Sequence, residues 1–288
     1  MLKKRLIAVI LIRDGLVVQS IGFKNYLPVG KIDIVIEFLE YWDVDEIVII
    51  DIGATINERT IDHNSIKNAS KKCFLPISAG GGIKKINDVR NILSSGADKV
   101  ILSSIVFKDD SFISRCSEKF GDQSVIVCLD IKQKNNGKYE CFIDSGNINT
   151  RISPIEFIKK NKSSGIGELL INSIDKDGSK KGYDIDLIKS IQDNSDVPII
   201  ALGGAGNFDH INDVFKQTDI SAVAAGNIFH FVEHSTAIAK AHLENSGISI
   251  RESYLLNYTN HIFDESSRVI PYKFNEAIWE YVKNVYIL

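Results

Sequence analysis

The chain has 288 residues, 44% apolar and 25% charged, which is enough to bury one large core or two modest ones. Its 34 basic and 37 acidic residues leave a net charge of -3 and a pI near 6.1, so it has no basic surplus of the kind a nucleic-acid binder needs. No apolar run reaches the length of a membrane span, and the basic, apolar start lacks a small-residue cleavage site, so it reads as a first strand rather than a signal peptide.

In chain order, apolar strand-like runs fall at 5–12, 46–51, 74–79, 99–104, 124–130, 168–173, 197–202 and 220–226. Segments with a helical period lie between them, most clearly at 32–42, 86–96, 184–192 and 210–217. Continuous apolar strands alternating with helices predict an α/β fold, a parallel sheet closed as a (β/α)8 TIM barrel over residues 1–252. Residues 132–151 interrupt the pattern after the fifth strand, and their turn at 135–137 predicts a hairpin over the mouth. Beyond the barrel, 253–288 form an extension whose helix at 272–288 is expected to pack on the exterior, with Pro271 just before its start. Cys73, Cys116, Cys128 and Cys141 form no C-x-x-C pair and read as reduced core residues of a cytoplasmic protein.

The chain repeats itself. IVIIDIGAT (47–55) parallels LLINSIDKDG (169–178), AGGGIKKINDV (79–89) parallels LGGAGNFDHINDV (202–214), and LSSIVF (102–107) parallels AAGNIF (224–229). Two half-barrels, about 1–122 and 123–252, explain the order of the matches. They also pair the glycines. Gly80, Gly81 and Gly82 with Ser103 and Ser104 make one candidate phosphate cradle, and Gly203, Gly204 and Gly206 with Gly226 and Asn227 make the other. Gly178, in the loop after the sixth strand, joins the second. Such a pair suits a small molecule with a phosphate at each end, although any single glycine could serve only a tight turn.

SVIVCLDIK (124–132), SIDKDGSKKGYD (173–184), IIALGGAG (199–206) and NIFHF (227–231) resemble the HisF family, the cyclase subunits of imidazole-glycerol-phosphate synthase, over about residues 1–254. The resemblance implies a barrel that takes ammonia from a separate, HisH-like glutaminase subunit. It uses that ammonia to close an imidazole ring on a bis-phosphorylated ribotide, with no cofactor expected. It also implies an acid–base pair of aspartates at the ends of strands 1 and 5. Asp130 matches the second, but the first is Leu11, which cannot transfer a proton. Gln19 and Leu202 stand where the family has a lysine and a serine. Asp51 and Asp177 match family positions near the mouth and are candidate substitutes, the plainer readings being a loop-orienting carboxylate and a turn residue.

At the strand starts, Arg5, Glu46, Lys99 and Glu168 match the family's charged ring at the barrel floor, readable as a salt-bridge plug or as a gate for ammonia. Asp98 and Gln123 match positions beside the glutaminase docking face, and Val48, Ser78, Ile101 and Val127 are expected to line the bore. The residues that would conduct ammonia are thus present while one that would spend it is absent. The resemblance then points to a diverged paralogue that supplies ammonia for amidination of a surface-polysaccharide sugar, with a separate amidotransferase. The alternatives are a genuine cyclase of histidine biosynthesis and a non-enzymatic module that binds a phosphorylated metabolite. His230 and His234, four apart, have no third ligand in sight and read as exposed helical histidines rather than a metal site.

Overall fold

The computed structural model describes residues 3–230 and 234–253, together with 256, 258 and 263. Eight parallel strands form its centre: β1 (Arg5–Arg13), β2 (Glu46–Asp51), β3 (Ile77–Gly80), β4 (Lys99–Leu102), β5 (Val125–Gln133), β6 (Glu168–Ser173), β7 (Ile199–Leu202) and β8 (Ala222–Ala225). Each pairs with its neighbours in sequence order, and β8 pairs with β1 through Arg5 opposite Ala222, which closes the cylinder. Among the described residues eight helices surround it: α1 (Ile32–Tyr41), α2 (His63–Lys72), α3 (Ile86–Ser94), α4 (Phe112–Phe120), α5 (Pro154–Lys160), α6 (Ile185–Gln192), α7 (Phe208–Gln217) and α8 (Ser235–Asn245). The fold is a (β/α)8 barrel. All eight expected strands are present.

Strand side chains alternate between two destinations. Leu6, Ala8 and Ile10 of β1 pack outward on the helices, as do Val125, Val127 and Leu129 of β5. Ile7 and Val9 turn into the bore, where they meet Val48, Ile101, Ile126, Cys128, Leu170 and Ile200. This corrects one expectation: Val127 belongs to the helix-facing core, and its neighbours Ile126 and Cys128 line the bore. Four of the helices begin where a side chain satisfies a first-turn amide. Asp62, Ser153, Asp184 and Asn207 each accept a hydrogen bond from an amide in the first turn of α2, α5, α6 and α7.

Two hairpins rise beyond the barrel rim. After β1, Leu16–Ile21 and Asn25–Gly30 pair antiparallel, with Leu11 opposite Val18 and Ser20 opposite Tyr26. After β5, Tyr139–Ile143 runs back along the strand with Phe142 opposite Asp130, which is the hairpin expected from 132–151. The terminal helix expected at 272–288 lies outside the described residues.

The two glycine runs occupy equivalent close approaches. A Cβ on Gly81 would fall 2.6 Å from the Asp51 carbonyl, and one on Gly203 would fall 2.9 Å from that of Ser173. One residue on, a Cβ on Gly82 would meet the Arg59 carbonyl at 1.8 Å, and one on Gly204 the Gly182 carbonyl at 2.1 Å. All four have positive φ. Gly82→Ala is therefore expected to lower unfolding stability by at least about 1–3 kcal/mol, the usual cost of such backbone strain, as read by urea denaturation. Loss of the β2–α2 loop packing adds to it.

Candidate active site

A deep cavity opens at the C-terminal ends of the strands, where loops of a barrel build active sites. Leu11, Ser103, Asp130, Asn172, Leu202 and Gly226 border it from their strand ends, and Ser20, Phe23 and Tyr26 cover it from the first hairpin. Leu11 therefore faces the same cavity as Asp130. Among the described residues, no lysine or arginine lines it.

Asp130 is the cavity's distinctive titratable group. Burial pushes its pKa up to about 6, the charge of Asp177 pushes the same way, and hydrogen bonds from Asn172 and Ser103 pull back. Asn172 Nδ2 donates to its Oδ1 at 2.8 Å. A carboxyl poised near neutrality can exchange a proton with a bound reactant.

The two other aspartates are engaged elsewhere. Asp51 follows inward-facing Ile50 at the end of β2 and borders the cavity. Its carboxylate is buried against the Arg59 guanidinium at 2.5 Å and accepts from the Gly53 amide at 3.1 Å. It does not stand opposite Asp130 as a free acid, and its contacts are those of a carboxylate that orients the β2–α2 loop. Asp177 reaches the cavity, but its Oδ2 accepts from the Ser20 hydroxyl at 2.6 Å and the Phe23 amide at 3.0 Å, while its carbonyl accepts from Gly22 at 3.0 Å. These bonds hold the first hairpin over the mouth.

Asn227 completes that latch. Its Nδ2 donates to the Ser20 carbonyl at 2.8 Å, and Gln19 Nε2 donates to the Asn227 carbonyl at 3.2 Å. Gly178 lies beneath the hairpin, where a Cβ would meet the Ser20 carbonyl at 2.6 Å. In the other half of the cavity, Ser104 Oγ accepts from the Asp144 amide at 3.0 Å and anchors the second hairpin. Gly81, Gly82, Ser103, Gly203, Gly204 and Gly226 all border the open space.

Neither Asn172 nor Tyr26, which border the cavity, was read from the sequence as a site residue. Asn172 lies two positions beyond inward Leu170 and was accessible to a period-two count. Tyr26 depends on a hairpin pairing that was not foreseen. The Arg13 guanidinium sits 4.5 Å from the centre of its ring, and burial raises its pKa, with the charges of Asp177 and Asp130 adding to that against Arg13. His230 is buried rather than exposed, and His234 caps α8 with φ 56°, so the two do not share a helix face.

At the opposite end, the strand starts form a closed ionic ring. Arg5 bonds Glu46 at 2.7 Å and Glu168 at 2.5 Å, and Lys99 bonds Glu168 at 2.5 Å and lies 3.9 Å from Glu46. Burial alone would raise the Glu168 pKa, but Arg5 and Lys99 outweigh it and hold it below the usual value. Beside the ring, Asp98 accepts from the Ile77 amide at 2.8 Å, and Gln123 is exposed in the turn before β5.

A closed parallel barrel with a buried carboxyl at its C-terminal mouth is a (β/α)8 scaffold of the kind that carries its functional site at that end. The sequence profile described as Histidine biosynthesis protein matches residues 5–235. A Vibrio vulnificus protein provisionally named imidazole glycerol phosphate synthase subunit hisF2 is 40% identical over 273 residues, covering 94% of this chain and 99% of that one. Imidazole glycerol phosphate synthase subunits HisF of Streptococcus mutans and Clostridium botulinum are 36% and 37% identical, each aligned along its full length and over 87% of this chain. The chain belongs to the histidine biosynthesis protein family, and within it to the HisF group.

Asp177→Ala removes two hydrogen bonds to a charged acceptor, each worth about 1.5–3 kcal/mol. The first hairpin, Leu16–Ile21 with Asn25–Gly30, is expected to gain amide exchange in that variant, read by mass spectrometry, while the barrel strands stay protected. For Asp130 the sign runs the other way from a salt-bridged carboxylate. Its folded pKa is raised from 3.8 to about 6, so the folded state binds more protons in that window and loses stability as pH rises through it. Asp130→Asn is expected to exceed the parent in stability above that window, by at most about 3 kcal/mol, with the difference vanishing toward pH 4.

Proposed function

We propose that this chain receives ammonia from a glutaminase subunit docked on its N-terminal face and passes it through the bore to a reaction other than the family ring closure. One observation carries the reading. Leu11 borders the cavity at the end of β1, while the carboxylates of Asp51 and Asp177 are held by Arg59 and by the first hairpin. Ring closure must take protons from ammonia and give them to a leaving group, and losing one of two cooperating groups costs on the order of 10² to 10⁴ in rate.

The conducting parts support the same reading. Ile7, Val48, Ile101, Ile126 and Leu170 make an apolar bore, which disfavours ions and suits an uncharged molecule. Arg5, Glu46, Lys99 and Glu168 are assigned as the gate, and Asp98 and Gln123 as part of the docking face. The two glycine cradles, Gly81 and Gly82 with Ser103 and Ser104, and Gly178, Gly203, Gly204 and Gly226 with the Asn227 backbone, are assigned to a phosphorylated ligand. The acceptor we favour is a surface-polysaccharide sugar amidinated by a separate amidotransferase, which rests on the resemblance of this branch and on no single residue. The second reading is a genuine cyclase of histidine biosynthesis, favoured by the HisF names of full-length relatives.

Purified protein supplied with an ammonium salt and the bis-phosphorylated ribotide separates the two. Formation of imidazole glycerol phosphate is expected at least about 100-fold below that of a HisF subunit assayed alongside, with Leu11→Asp recovering part of the difference. Wild-type turnover equal to that subunit's would end the reading.

A further inference from the structure

Asp130 stands between two partners that differ in what they can do with a proton. β5 and β6 run in register with Asn172 opposite Asp130, so both side chains turn into the same end of the cavity. Asn172 is only 8% exposed, and its Nδ2 lies 2.8 Å from Asp130 Oδ1. Its own Oδ1 points to the β7 side, 3.4 Å from where a Cβ on Gly203 would lie. The reverse orientation would set a carbonyl oxygen against the carboxylate, so the donor side belongs on Asp130 whenever that group is ionised.

The rest of the wall leaves Asp130 few alternatives. Leu11, Ile50 and Leu202 border the cavity from β1, β2 and β7 and offer no donor. The titratable groups that sense the Asp130 charge are Asp177, Tyr26, Cys128 and Cys141, and none of them is a cation. The Ser103 hydroxyl also supports the carboxylate, but a hydroxyl can turn from donor to acceptor. The Asn172 NH2 can only donate.

We propose that Asn172 is a positioning residue for Asp130: its Nδ2 occupies Oδ1 in both protonation states, so that a proton taken up by the carboxyl goes to Oδ2. Ser103 can follow the change by turning to accept. The inference rests on the reading of Asp130 as the group that exchanges a proton in this cavity, and it is independent of where the ammonia goes.

The test uses the full chain labelled with ¹³C at the aspartate carboxyls and ¹⁵N at the asparagine side-chain amides. Signals missing in Asp130→Asn and in Asn172→Gln assign the two groups. In the wild-type protein the Asp130 carboxyl is expected to titrate with a midpoint of about 6. The Asn172 amide protons are expected to follow the same midpoint, with one of them shifted downfield on both sides of it. Asn172→Leu, close in size, removes a hydrogen bond to a charged acceptor and is expected to raise the Asp130 midpoint by about one to two pH units. Asn172→Gln keeps an NH2 donor and is expected to recover at least half of that change. An unmoved midpoint in a folded Asn172→Leu variant overturns the inference. So does a wild-type Asn172 amide that ignores the titration or loses its downfield proton once Asp130 is protonated, a measurement that stands even where Asn172→Leu fails to fold. A wild-type Asp130 that titrates at an ordinary carboxylate value takes the reading of Asp130 as the proton-exchanging group down with it.

Discussion

A side chain on a barrel strand has two directions open to it, and everything in this molecule follows from which one each residue takes. Counting from the floor of β1, Arg5, Ile7, Val9 and Leu11 face the axis, and on β5 the same series ends in Ile126, Cys128 and Asp130. Charge stands at the bottom, hydrocarbon in the middle, and the chemistry at the top. Position 11 therefore has no freedom to be a core leucine on the helix side. On β2 the inward place falls to Ile50, and the Asp51 carboxylate one residue on pairs with Arg59 at the edge of the cavity.

Above the rim, the constraint changes from parity to hydrogen bonding. The base of the first hairpin is held in the core by Val17 and Val18, but farther out Leu16, Ile21 and Leu27 are exposed. What fixes it is a set of polar anchors, Asp177 to Ser20 and Phe23, and Asn227 to Ser20. A short hairpin held in this way brings Tyr26 over the cavity. Residues that look like ligands for a substrate are in this state ligands for the lid.

How far the sequence reveals this depends on the range of the interactions. The eight strands are legible because each is a short apolar run bounded by turn residues. Helices α3, α6 and α7 are legible because they bury a regular stripe, such as Ile211, Val214 and Phe215. α2 buries only Ile66 and Ala69 and relies on the Asp62 cap, so its period is faint. Within the strands, Val127 was placed one residue out of phase, since a fully apolar strand gives no alternation to count. The glycine equivalences, Gly81 with Gly203 and Gly82 with Gly204, support the two-half reading, because both pairs meet carbonyls of corresponding strand ends and loops. The engagement of Asp177 and Asn227 was beyond reach, since their partners at Ser20 and Phe23 lie more than 150 residues away in the chain.

The two ends of the cylinder therefore impose different demands on whatever passes through it. At the floor, four ionised groups satisfy one another, and a buried ring of this kind is costly to break because it leaves charges without partners. A cation or anion crossing it would have to compete with those pairs, whereas a small neutral molecule need only slip between them. At the mouth, a single carboxyl near neutrality can accept a proton, and Leu11 offers nothing to return one to a leaving group. A barrel with this asymmetry can still take a proton from a bound reactant at Asp130. Completing a reaction that also expels a leaving group requires a proton donor from another side chain, from the acceptor itself, or from a protein docked over the rim.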